Sequence, residues 1–187
     1  KMLPTGQKLW FELQWRAVAG RWIRPDQEPS ADELMERSLS VDGSAVRLLS
    51  AEDNLLQVCL HAAKHTYVRA PGFRLNLDVD RITRFQPVDW DAFLDRVGSF
   101  RVRTPVFFAL ALPKALVGAP VPDEVLDALA PARWRSRLIE RWLYRVGLFE
   151  PDEHKFSNPS FLAFAVLMYD DVGGFRRAAF PDRQWMR

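Results

Sequence analysis

From residue 30 onward, helix-start residues are each followed by apolar positions at three- and four-residue spacing, which restricts most of the chain to a mainly helical fold. Ser30, with Glu33 three residues on, has the form of a capping box, in which a hydroxyl and a carboxylate each accept from a backbone N–H that the helix leaves unpaired. Asp42-Gly43 makes a turn, and Ser50 caps a second helix beginning Ala51-Glu52-Asp53. That helix carries Leu55, Leu56, Cys59, Leu60, Ala62 and Ala63 inward and ends before Pro71-Gly72. A third is expected over residues 74–85, with Leu75, Val79 and Ile82 inward, and Asp89 caps a fourth over 90–97. A fifth begins near Pro105, where Pro113 should kink or break it. Pro122-Asp123-Glu124 opens a short helix. Trp134, Leu138 and Trp142 mark the buried face of residues 132–146, and an apolar helix over 159–168 follows, ended or bent by Gly173-Gly174.

The first residues differ in kind. Pro4-Thr5-Gly6 is turn chemistry, and residues 7–16 then alternate as a strand does, with Leu9, Phe11, Leu13 and Trp15 on one face and Trp10, Glu12 and Gln14 on the other. A strand buried on both faces spends a position on an acid only where that acid has a task. The plainer alternative is an edge strand with Glu12 in solvent. Residues 24–29, with Pro25 and Pro29, read as a linker. The organisation is therefore a strand region over 1–25 and a helical domain over 26–187.

Several function classes drop out on composition. Net charge is only +2, which calls for neither nucleic acid nor a membrane surface. The longest apolar run, Phe161 to Tyr169, is too short to span a bilayer. Cys59 is the only cysteine, which excludes an intrachain disulfide and a cysteine zinc site and fits a cytoplasmic location. The sequence begins with Lys1, and the expectation is a removed tag or a piece of a longer protein.

Four groupings could carry chemistry. His61 and His65 stand one helical turn apart and can share a metal, though Ala62 stands where a metalloprotease needs Glu; two half-buried imidazoles bonded to polar neighbours is the competing reading. Asp78-Val79-Asp80 has the Asp-x-Asp form that grips magnesium on a strand. On a helix the two carboxylates point about 200° apart, so the pair is rejected and Asp80 is read as a partner of His65 or of a nearby arginine. Gly43-Ser44 is discounted as a phosphate turn because 34 residues separate Ser44 from Asp78. Arg133, Arg137 and Arg141, with Arg135 beside them, form a basic stripe, read as a solvated face rather than a nucleic-acid surface.

Taken in order, Phe11-Glu12-Leu13-Gln14-Trp15, residues 49–56, His61-Ala62-Ala63-Lys64-His65, Asp80-Arg81-Ile82, Val88-Asp89-Trp90 and Phe180-Pro181 resemble the uncharacterised nucleotidyltransferases of the DNA-polymerase-β-like superfamily. The resemblance implies that a glycine turn grips a nucleoside triphosphate, that an Asp-x-Asp pair holds two magnesium ions, and that a third acid comes from a later strand. That third role, as metal ligand and catalytic carboxylate, falls on Glu12. Gln14 stands where the family often has His, and the glycine turn and Asp-x-Asp strand would lie before Lys1.

The expectation is a mainly α chain: a helical domain preceded by a short β-containing remnant of a nucleotidyltransferase-type α/β domain. It would transfer a nucleotidyl group from a nucleoside triphosphate to an unidentified acceptor with magnesium, with His61, His65 and Asp80 in the substrate-pocket wall. Alone, without the upstream motifs, it is not expected to be active. The alternatives are a non-catalytic helical binding or adaptor domain and a hydrolase with a metal on the two histidines.

Overall fold

A computed structural model describes residues 16–18, 23–68, 73–146, 158–171, 173, 174 and 176. The strand expected over residues 7–16, with Glu12, falls almost wholly outside the described residues. The rest is mainly helical: α1 (Ala31–Glu36), α2 (Ala51–Lys64), α3 (Arg74–Phe85), α4 (Trp90–Ser99), α5 (Arg103–Val117), α6 (Asp123–Leu129), α7 (Arg133–Val146) and α8 (Asn158–Met168). Between α1 and α2, β1 (Leu39–Ser40) and β2 (Arg47–Leu48) form a small antiparallel hairpin around the Asp42-Gly43 turn, pairing Leu39 with Leu48 and Ser40 with Arg47.

Three helix starts are set by the residues that the sequence offered for them. Glu33 N–H donates to the Ser30 hydroxyl at 3.2 Å while the Glu33 carboxylate accepts from Ser30 N–H at 2.7 Å. The hydroxyl of Ser50 accepts from Asp53 N–H at 3.2 Å, and the Asp89 carboxylate accepts from Ala92 N–H at 3.0 Å. Each cap satisfies a donor the helix cannot.

The centre of the fold is α2, α3 and α5, which pack pairwise on one another, with α4 against α2 and α6 against α5. Leu55, Leu56, Cys59 and Leu60 of α2, Val79 of α3, Phe93 and Val97 of α4 and Leu110 of α5 are fully enclosed. Burying each large aliphatic or aromatic side chain contributes roughly 1.5–3 kcal/mol. Tyr67 ties the far end of α2 into this core, its hydroxyl donating to the Pro105 carbonyl at 2.7 Å.

Four expectations change. Residues 24–29, read as a linker, are ordered in part: Pro25–Gln27 is a 3-10 turn, and Gln27, Glu28 and Pro29 are buried. Pro113 does not end α5, which continues to Val117 and stops at Gly118 in the left-handed conformation (φ 68°). Burial of Phe108, Ala109, Leu110 and Pro113 outweighs the ~3 kcal/mol that an interior proline costs. The buried side of α7 is Ile139 and Leu143, with Trp142 stacked on Phe164 of α8, whereas Trp134 and Leu138 are exposed. Gly173-Gly174 does not end α8, which stops earlier, at Met168.

Candidate functional site

α2 has an apolar side in the core and a half-buried side on which Gln57, His61, Lys64 and His65 follow one another at helical spacing. This side faces the segment that leaves the expected Glu12 strand. Gln57 Nε2 donates to the Ala17 carbonyl at 3.1 Å and Lys64 Nζ to the Val18 carbonyl at 3.0 Å. The same segment is held from its other side by Glu28, whose carboxylate accepts from Val18 N–H at 2.6 Å and pairs with the Arg16 guanidinium. Residues 16–18 are thus held by α2 and by Glu28, the buried residue that follows the 3-10 turn.

The structure brings His61 and His65 together, with ring centroids 4.9 Å apart and planes tilted by 30°. His65 is the C-cap of α2, and the chain turns there through Thr66 (φ 55°) and Tyr67 (φ 63°), both left-handed and neither glycine. Such a conformation costs roughly 1–2 kcal/mol per residue, and the buried Tyr67 hydroxyl bond to α5 holds it. Asp80 belongs to α3 and accepts from Arg84 Nε at 2.8 Å, while Arg84 also donates to the Gly118 carbonyl at 2.8 Å. An arginine one turn away is therefore a partner of Asp80, and because Asp78 and Asp80 lie on a helix they diverge.

Among the described residues no three His, Cys, Asp or Glu side chains converge as a metal site. The described residues thus offer no ligand set for magnesium, nor a third ligand for a metal on His61 and His65. Cys59 is fully buried, and burial pushes its thiol well above the usual range, so it is not a nucleophile.

The sequence reading missed a second polar cluster, at the start of α2. Asp53, with no exposed surface, accepts from Arg37 Nε at 2.8 Å and pairs with Arg96 at 3.1 Å. Glu52 pairs with Arg96 at 3.5 Å and accepts from Asp89 N–H at 3.0 Å. One signal could have revealed it. Asp53 is three and seven residues before Leu56 and Leu60, hence on the apolar side of α2, and a carboxylate there needs a cationic partner. Beside this cluster a groove of about 720 Å³ opens between the hairpin and α3, lined by Leu39, Leu48, Leu49, Ala51, Asn54 and Gln86.

The sequence profile described as uncharacterised nucleotidyltransferase matches residues 4–118. The chain belongs to that family. In the uncharacterised nucleotidyltransferase family match lie the Glu12 segment, the hairpin and α1 through α5, ending on the left-handed Gly118; α6, α7 and α8 lie beyond it. No curated protein and no solved structure matches the chain. No helix of the described residues is long and apolar enough to cross a membrane.

Proposed function

We propose that this chain forms the acceptor-side wall of a nucleotidyl-transfer site. In this reading an acceptor hydroxyl or phosphate attacks the α-phosphate of a nucleoside triphosphate, the bond between the α- and β-phosphates breaks, and pyrophosphate leaves. The observation that carries it is the pair of hydrogen bonds from Gln57 and Lys64 to the Ala17 and Val18 carbonyls, which tie the side of α2 that carries His61 and His65 to residues five and six positions after Glu12.

Glu12 is the magnesium-binding acid of this reading, acting with the Asp-x-Asp pair that the resemblance implies. Magnesium would draw charge from the phosphates. The described residues do other work. His61 and His65 present imidazole nitrogens to the substrate. Asp80, the third residue of the wall in this reading, holds Arg84, which also donates to the Gly118 carbonyl at the end of α5.

The test is calorimetric titration of the native gene product with each of the four nucleoside triphosphates in the presence of magnesium. Saturable binding of at least one, weakened severalfold by His65→Ala with the fold intact, is expected. No binding by any of the four would reject the reading in favour of a non-catalytic helical module.

A further inference from the structure

α7 departs from an ordinary amphipathic helix. It carries five arginines against one glutamate, a net +4 in a chain whose net charge is +2. Arg133, Arg137, Arg141 and Arg145 recur every fourth residue and all are exposed. Among the described residues no carboxylate pairs with any of the four. On the same side stand Trp134 at 58% exposure, Leu138 at 49% and Tyr144 at 92%. These are not misplaced core residues, because the buried side is already occupied by Ile139, Leu143 and the Trp142–Phe164 stack.

Arg135 is the exception among the arginines and explains how the indole is held. Its Nη1 donates to Thr104 Oγ1 at 3.2 Å and to the Tyr169 carbonyl at 3.1 Å. Its guanidinium carbon lies 5.6 Å from the Trp134 ring centroid, so a cation fixed in the fold supports an exposed aromatic ring.

We propose that this face of α7 binds single-stranded nucleic acid. A row of unpaired guanidinium groups matches a phosphate backbone, and exposed aromatic rings interleaved with it offer stacking surfaces that every base can use. A membrane fits less well: an interfacial helix needs a continuous apolar side facing lipid, and that side of α7 packs on α8. The inference goes beyond nucleotidyl transfer and does not rest on it.

The experiment is fluorescence anisotropy of a labelled, mixed-sequence single-stranded RNA titrated with this chain over a range of salt, with anionic phosphatidylserine vesicles as a second probe. The R137A/R141A variant should bind more weakly and lower the slope of log affinity against log salt by roughly 1.4, at about 0.7 for each phosphate no longer neutralised. Trp134→Ala should weaken binding about tenfold with that slope unchanged. Both changes are at exposed positions, and circular dichroism checks that the helices persist. Absence of RNA binding at low salt, affinity unmoved by both variants, or retention on vesicles without RNA binding would each overturn the proposal.

Discussion

Lys64 reaches back across the fold and donates from Nζ to the carbonyl of Val18, 3.0 Å away and 46 residues earlier in the chain. With Gln57 on Ala17, it makes one face of α2 the support for the segment that follows Glu12. Lys64→Met keeps the aliphatic stem and removes the donor. A bond from a charged group contributes about 1.5–3 kcal/mol, less where water competes, so a loss of about 1 kcal/mol in urea unfolding is expected. Faster amide exchange at residues 16–18, with α3 and α5 unaffected, would locate the loss.

Asp53 is the most demanding polar residue of the domain because it is fully buried between Arg37 and Arg96. Removing it leaves two guanidinium groups facing a partly dry site, and breaking such an arrangement typically costs about 3–5 kcal/mol. Asp53→Ala is therefore expected to lower the denaturation midpoint far more than Lys64→Met does. Arg37→Met should cost less, since Arg96 still neutralises Asp53.

The cap at α1 makes a prediction in acid. Hydrogen bonds from Ser30 hold the Glu33 carboxyl below its ordinary 4.5. A lowered folded pKa means that this stabilisation is complete above 4.5 and is lost as pH falls through the folded value. Ser30→Ala should cost about 1 kcal/mol at neutral pH. The gap between the stability curves of variant and parent, measured by chemical denaturation, should narrow as the solution is acidified below 4.5 but not close, because only the hydroxyl bond to the Glu33 carboxylate titrates, whereas the bond from Glu33 N–H to the hydroxyl does not.

Alkaline pH probes the other end of the fold. Burial pushes the Tyr169 hydroxyl up to about 12, and it raises Tyr67 well above its ordinary 10. The folded state keeps these protons after the unfolded chain has released them. Stability is thus intact below pH 10 and falls as pH rises from 10 towards about 12. Tyr169→Phe should flatten that limb in thermal melts between those limits. Tyr67→Phe should flatten it too, while costing about 1 kcal/mol at neutral pH for the lost bond to Pro105.

The helices were legible because their signals are local. Ser30, Ser50 and Asp89 sit immediately before the turns whose donors they satisfy, and α3 follows directly from Leu75, Val79 and Ile82 at one side of a turn. What could not be read depended on the rest of the fold. Pro113 is a helix breaker in isolation, and only its burial keeps α5 continuous. On α7, Trp134–Leu138–Trp142 and Ile139–Leu143 are both apolar rows at helical spacing; the fold buries the second and, of the first, stacks only Trp142 on Phe164 of α8 while Trp134 and Leu138 stay exposed. Arg37 and Arg96 are remote in sequence from Asp53, so the ion-pair cluster had no local pattern. Of the candidate site, the His61–His65 pairing followed from one turn of helix, whereas the bonds from Gln57 and Lys64 on the same side of α2 to residues 17 and 18 are a tertiary relationship. Glu12 lies outside the described residues.

The account rests most heavily on Glu12 belonging to a nucleotidyl-transfer site served by the α2 face. The direct measurement is transfer of label from α-phosphate-labelled nucleoside triphosphates, with magnesium, to components of a cell extract by the native gene product and its Glu12→Ala and His61→Ala variants. The account predicts transfer by the parent, loss of at least a hundredfold (about 2.7 kcal/mol of transition-state stabilisation) with Glu12→Ala, and a smaller loss with His61→Ala. Absence of transfer with all four nucleotides, or transfer undiminished by Glu12→Ala, would contradict it.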